Sequence, residues 1–73
     1  MEIVIRYSME HGFEEPALVF ARRVFATFDE AVDSLALVPD EGDDLVVYLD
    51  GRLVHSVRES GRMPRLADLA MQE

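Results

Sequence analysis

Residues 45–56 read LVVYLDGRLVHS, and within them Asp50-Gly51 separates two runs of β-branched, aromatic and aliphatic side chains. Asp-Gly is favoured in two-residue hairpin turns because both turn residues need a positive φ angle. The second strand is predicted to run from Arg52 to Arg58. A two-residue turn also fixes the register, and it predicts four opposed pairs: Leu49 with Arg52, Tyr48 with Leu53, Val47 with Val54, and Val46 with His55.

Two strands and a long helix are predicted before this hairpin. Alternation of apolar residues over 3–7 indicates the first strand, and a short apolar run over 35–38, before Pro39, indicates the second. Between them, Glu14-Glu15-Pro16 suits the first turn of a helix, which is predicted to end near Phe28. Apolar residues recur there at helical spacing and make a broad apolar stripe that is expected to face the core: Leu18, Ala21, Phe25 and Phe28, flanked by Ala17, Phe20 and Val24.

A last helix is predicted after Gly61, over 64–71, with Leu66, Leu69 and Ala70 facing inward. The order is β-α-β-β-β-α. The first helix connects two strands over a length that implies a parallel pair with a right-handed crossover, whereas the hairpin adds antiparallel strands. The sequence therefore predicts one domain over 1–73, a two-layer α/β fold with a four-stranded mixed sheet and both helices on one face.

The charge balance narrows the classes of partner. Fifteen acidic residues oppose seven basic ones, all of them arginine, and give a formal net charge of −8. This charge disfavours nucleic acid and anionic membranes as partners. Four arginines follow Gly51 and seven acids lie within 29–44, an asymmetry that can steer an acidic partner or head-to-tail association. The acidic, lysine-free composition favours a halophilic protein.

Neither a long apolar segment nor the basic start of a signal peptide is present in the sequence, so a cytoplasmic location is expected. The chain also has no cysteine. This excludes disulfides, thiolate metal sites, a cysteine nucleophile and thiol redox chemistry carried by the chain itself. No cofactor is expected.

Several short patterns in order resemble one known family. They are Ile-x-Ile-x-Tyr at 3–7, a long helix, Val38-Pro39, the hairpin sequence of 45–56 and Gly61-x-Met63-Pro64. In this order and spacing the chain resembles the selenoprotein W-related (Rdx) family from Ile3 to Leu69. The resemblance implies a thioredoxin-like fold with the sheet order 2-1-3-4. It also implies a Cys-x-x-Cys pair, or one with selenocysteine, just after the first strand.

Carried onto this sequence, the two redox positions fall on Ser8 and His11. Neither side chain forms a mixed disulfide, so the family's redox centre is predicted to be degenerate and the chain not to be an oxidoreductase. Asp43-Asp44 also departs from the glycine and small residue that the family tends to carry there. Three other uses of the loop are open. Ser8, Glu10 and His11 could serve a thiol-independent enzyme. Glu10 and His11 could bind a metal ion together with His55, or the loop could recognise a partner in cell redox homeostasis.

The second face of the predicted sheet has no helix left to cover it. Its predicted members are Val4, Val46, Tyr48, Leu53, His55 and Val57. An uncovered apolar face with an aromatic residue near its centre is typical of an interaction surface. The main functional prediction is therefore a small protein-binding module, which contacts a protein partner or a second copy of itself through this face.

Overall fold

Four strands form one mixed sheet in the order β2-β1-β3-β4. They are β1 (Glu2–Ser8), β2 (Ser34–Asp40), β3 (Leu45–Leu49) and β4 (Arg52–Ser56). Strand β1 is parallel to β2 and antiparallel to β3, which is antiparallel to β4. The computed structural model describes residues 1–70, and it confirms the predicted mixed sheet and its order.

The helices comprise α1 (Glu14–Phe28), a single turn α2 (Val57–Ser60) and α3 (Leu66–Ala70), with a 3₁₀ turn at Asp29–Ala31. The order β-α-β-β-β-α is confirmed, with α2 as an additional turn between β4 and α3. The predicted end of the last helix, Met71, lies outside the described residues. No helix within 1–70 is long and apolar enough to span a membrane.

The core lies between the sheet and α1. Its buried members are Ile3, Ile5, Tyr7, Ala17, Phe20, Ala21, Val24, Leu45, Val47 and Leu69. Because α1 and α3 both contribute to this cluster, they pack on the same face of the sheet, as predicted.

Three residues predicted to face inward are exposed. Leu18 is 38% and Phe25 is 50% exposed, and Ala70 is exposed as well. In α1 the buried positions are Ala17, Phe20, Ala21 and Val24. The small side chains of two alanines face the core, and the bulkier Leu18 and Phe25 are left at the exposed side of the stripe.

The hairpin register is confirmed next to the turn and wrong beyond it. Leu49 pairs with Arg52 and Tyr48 with Leu53, but the register then shifts between Val47 and Tyr48. One extra residue in β4, Val54, forms a β-bulge, so Val47 lies opposite His55 instead of Val54. A one-residue shift moves side chains to the other face. His55 therefore belongs to the core face, where it is 6% exposed, and not to the open face.

Strand β4 ends at Ser56, two residues before the predicted end. The Ser56 side chain accepts a hydrogen bond from the backbone N–H of Glu59 and so caps α2. Gly61, with φ 75°, ends that turn. Val57 is therefore helical and packs against the core, so its predicted place on the open sheet face was wrong.

Candidate functional site

The loop after β1 brings the two degenerate redox positions together. Ser8 Oγ lies 2.8 Å from His11 Nδ1. Gly12 adopts φ 73°, which favours glycine, and Phe13 donates its backbone N–H to the Ser8 carbonyl. The loop thus closes on itself before α1 begins and holds the Ser8 hydroxyl against the His11 imidazole.

Accessibility differs sharply between the two partners. Ser8 is fully buried, whereas Met9, Glu10 and His11 are exposed. A substrate has no access to the Ser8 oxygen in this arrangement, while the imidazole is open to solvent. The pair is therefore suited to holding the loop and presenting His11, and poorly suited to nucleophilic attack by the hydroxyl.

The proposed metal ligands do not converge. Within 1–70, no three histidine, aspartate or glutamate side chains come together in a way that could hold a metal ion. His55 lies on the core face of β4, and Glu10 and His11 lie in the loop after β1. The structure therefore does not form the set Glu10, His11 and His55.

The start of α1 carries negative charge, which makes it poorly suited to stabilising a thiolate in the preceding loop. Phe13 precedes the helix without a side-chain cap, and Glu14 and Glu15 occupy the first turn. Their carboxylates already complement the positive end of the helix dipole. Pro16 lacks a backbone N–H to offer an anion. An additional negative charge in the loop is therefore weakly stabilised.

Asp44 joins this loop to the end of β4, which lies at the same end of the sheet. Its carbonyl accepts the backbone N–H of Ser8 at 3.0 Å. Its carboxylate accepts from the backbone N–H groups of Leu45 and Arg58, at 2.7 and 2.8 Å, and from the Ser56 hydroxyl. Partial burial raises the pKa of Asp44, but these hydrogen bonds and the charge of Arg58 outweigh it and the pKa is lowered.

The sequence alone did not predict that Asp44 accepts several hydrogen bonds. Two of its donors, the Ser56 hydroxyl and the Arg58 backbone N–H, come near it only when the hairpin folds. One local signal was present: Ser56 and Glu59 have the Ser-x-x-Glu spacing of a helix start. That signal marks the end of β4 and the start of α2.

Replacing Asp44 with alanine is expected to lower the free energy of unfolding by roughly 2 kcal/mol, because two backbone donors and the Ser56 hydroxyl lose a charged acceptor. Asp43→Ala is the matched control, since Asp43 contacts Arg58 in an exposed pair that contributes under about 1 kcal/mol. Urea unfolding at pH 7 measures both values. Equal losses in the two variants would show that Asp44 has no special structural role.

A second polar cluster surrounds the buried His55. Its Nε2 lies 2.9 Å from the Arg62 carbonyl and 3.2 Å from Ser60 Oγ, and its Nδ1 lies 3.4 Å from Asp68 Oδ2. Arg62 also holds the Asp68 carboxylate through both terminal nitrogens, at 3.1 and 2.8 Å. The hydrogen bond from Arg62 lowers the pKa of Asp68 against the opposing effect of burial.

This cluster resembles a hydroxyl–imidazole–carboxylate relay only in its order of residues. A carbonyl oxygen accepts but never donates, so the short contact with Arg62 requires a proton on His55 Nε2. His55 Nε2 is therefore not available to take a proton from the Ser60 hydroxyl. That hydroxyl itself donates a hydrogen bond to the Arg62 carbonyl. The cluster joins β4, the turn after α2, and α3.

The open face of the sheet keeps four of its six predicted members. Val4 pairs with Tyr48, and Tyr48 pairs with Leu53. Val46 precedes Tyr48 by two residues in β3 and so lies on the same face. Strand pairing adds Ala36 and Val38 of β2, opposite Val4 and Arg6. Leu53 is 48% exposed, and the core residues of α1 and α3 pack on the opposite side. We call the set Val4, Ala36, Val38, Val46, Tyr48 and Leu53 the open-face patch.

Comparison with solved structures supports the fold. A selenoprotein W-related protein from Vibrio cholerae is 22% identical, with a TM-score of 0.84, and the match covers 93% of this chain and 85% of that one. A protein from Bordetella parapertussis is 24% identical, with a TM-score of 0.82, and the match covers 93% of this chain and 86% of that one. Both confirm the thioredoxin-like fold that the family resemblance implied. No curated protein sequence matches this chain.

A comparison with family models covers nearly the whole sequence. The Rdx family matches over residues 2–72, a range that includes the loop of Ser8 and His11, the hairpin and all four strands. The resemblance read from the short patterns is therefore confirmed at the level of the family. The chain belongs to the Rdx family, a redox-related family, and in this member Ser8 and His11 occupy the positions at which the resemblance expects the sulfur or selenium pair.

Proposed function

We propose that this Rdx-family domain has exchanged thiol chemistry for protein binding, and that the open-face patch is its binding surface. The observation that carries the proposal is a row of apolar residues across all four strands on the face opposite the helices: Ala36, Val4, Tyr48 and Leu53. In the neighbouring row Arg6 lies between Val38 and Val46. Patches of this kind mark protein interaction sites in soluble domains.

The loss of redox activity is supported by chemistry at the loop. Thiol–disulfide exchange needs a thiolate that attacks a disulfide sulfur, and this chain contains no cysteine. The burial of Ser8 and the carboxylates at the start of α1 also disfavour a replacement nucleophile there. We propose that the chain is not an enzyme and that the loop serves to support the sheet.

Tyr48 lies at the centre of the proposed surface. It is paired with Val4 on one side and with Leu53 on the other. Aromatic side chains contribute large contact areas with few rotatable bonds, and they are enriched among the residues that dominate binding energy. A protein partner with a complementary apolar surface fits this geometry. We further propose a cytoplasmic protein adapted to high salt, in which apolar contacts dominate because charges are screened.

Changing Leu53 to aspartate is expected to abolish partner binding while the domain stays folded. The domain stays folded because Leu53 is half exposed, and binding is lost because removing a carboxylate from water at the interface costs free energy. Leu18→Asp is the matched control, since Leu18 is similarly exposed but lies on α1. Binding is measured by placing a photoreactive amino acid at Tyr48 and identifying the protein cross-linked in extract of the source cells at molar salt.

The expected result is a cross-linked partner with wild type and with Leu18→Asp, and none with Leu53→Asp. Circular dichroism verifies that all three chains are folded. A covalent dimer alone would show that the face joins two copies of this chain. Cross-links unaffected by Leu53→Asp, or loss of the partner with His11→Ala but not with Leu53→Asp, would overturn the sheet-face proposal.

A further inference from the structure

A groove separates the first half of α1 from the segment that follows Gly61. It has a cavity volume of about 340 Å³, and its lining includes Glu15, Val19, Arg23, Met63, Pro64 and Arg65. This volume falls near the lower end of the range found for ligand sites, roughly 300–1,000 Å³. The groove is distinct from the open-face patch and from the loop of Ser8 and His11, since it shares no residue with either.

The groove combines an apolar floor with uncompensated positive charge. Val19 is 38% and Met63 is 44% exposed, although both are large apolar residues. Within 1–70, the arginine ion pairs are those of Arg6, Arg58 and Arg62. The guanidinium groups of Arg23 and Arg65 therefore have no carboxylate partner there, in a chain whose formal net charge is −8.

The dimensions of the groove suit a short stretch of extended polypeptide. From Glu15 to Arg23, α1 rises about 12 Å at 1.5 Å per residue. An extended chain covers that length with roughly four residues at about 3.3 Å each. The opposite wall is the segment Met63-Pro64-Arg65, and the unbranched side chain of Met63 can adapt to different apolar partners.

We propose that this groove binds an acidic peptide segment of a partner protein, with a bulky apolar side chain seated against Val19 and Met63 and with carboxylates facing Arg23 and Arg65. Charge complementarity carries the choice of occupant, because arginine without a partner beside an apolar floor favours carboxylates over neutral or basic groups. Glu15 lies at the opposite end of the helical wall from Arg23, and it disfavours an acidic residue at that end.

The test begins with selection of random heptapeptides displayed on phage against the immobilised full-length chain. Selected peptides are expected to place Asp or Glu beside a bulky aliphatic or aromatic residue. Their affinity is then measured by fluorescence anisotropy. The double variant Arg23→Glu, Arg65→Glu is expected to weaken binding at least tenfold.

Two controls separate the groove from general electrostatics and from the sheet face. The double variant Arg22→Glu, Arg52→Glu changes the net charge equally, but neither residue lines the groove, so affinity is expected to stay within about twofold. Leu53→Asp is also expected to leave peptide affinity unchanged, so this site and the open-face patch can fail independently. Selection of no peptides, or of peptides without acidic residues, would overturn the proposal, as would equal losses in the two double variants.

Discussion

Replacing Ser8 and His11 together with cysteine is expected to create thiol–disulfide exchange activity, and the wild-type chain is expected to show none. Their side chains already meet, with Ser8 Oγ 2.8 Å from His11 Nδ1, and the loop is closed by backbone hydrogen bonds. The imidazole reaches Ser8 through its δ nitrogen, whereas a cysteine at 11 ends at the γ position, so a bridge requires the loop to bring the two Cβ atoms to about 3.5–4.5 Å. Position 11 is exposed, so its thiol is the one that a disulfide substrate is expected to meet. Insulin reduction and thiol titration with Ellman's reagent measure the gain, and wild type is expected to match the buffer blank.

The new activity is expected to be slow at neutral pH, because the start of α1 is poorly suited to a thiolate. Glu14 and Glu15 place carboxylates in the first turn, and Pro16 contributes no N–H. Adding Glu14→Gln and Glu15→Gln to the double variant should therefore raise the rate roughly two- to fivefold, as expected for charges at a helix end.

Single variants provide the control for this experiment. Ser8→Cys and His11→Cys alone each introduce one thiol and have no partner for an intramolecular bridge. Insulin reduction above the blank by wild type would contradict the proposed redox inactivity. A double variant whose two thiols never form a bridge under oxidising conditions would show that the loop no longer holds the geometry of the family's redox centre.

The fold was predictable where local signals agree with one another. Asp50 adopts φ 52° and Gly51 φ 83°, so the Asp-Gly dipeptide occupies the turn that its conformational preferences indicated. The alternation over 3–7 and the acidic start of α1 likewise match β1 and the first helical turn. These features depend on residues close in sequence, and a strand–helix–strand unit then has a strongly preferred handedness.

The errors arose where a single residue changes the register. The bulge at Val54 has no turn residue or glycine to mark it, yet it moves His55 from the predicted open face into the core. The cluster of His55 with Arg62 and Asp68 could not be predicted once that position was misplaced. The pair Ser8 and His11 was predictable because the two residues are three apart in one loop.

Replacing Asp68 with alanine is expected to destabilise the domain severely. Its carboxylate accepts hydrogen bonds from both terminal nitrogens of Arg62 and from the backbone N–H of Arg65. It also lies 3.4 Å from His55 Nδ1. Removing a mostly buried acceptor leaves those donors unsatisfied, at a cost of about 3 kcal/mol. For a chain of this size the free energy of unfolding is roughly 4–10 kcal/mol, so the loss is a large fraction of it.

Thermal unfolding measures this effect directly. A loss of that size corresponds to a fall in Tm of roughly 12–24 °C for a domain of this length. Glu59→Ala is the matched control, since Glu59 is exposed and its carboxylate forms no ion pair within 1–70. A Tm shift of Asp68→Ala no larger than that of the control would show that the cluster does not hold α3 against the sheet.

The destabilisation is also expected to depend on pH, in a direction fixed by the lowered pKa of Asp68. Because the guanidinium of Arg62 hydrogen-bonds the carboxylate, Asp68 is more acidic in the folded chain than in the unfolded one. Its contribution to stability is complete above the ordinary aspartate pKa of about 4 and is lost as the pH falls through the folded-state value. The stabilities of wild type and Asp68→Ala in urea should therefore approach each other as the pH falls below about 4, at constant ionic strength. A difference that is the same at pH 3 as at pH 7 would assign the role of Asp68 to packing and not to its charge.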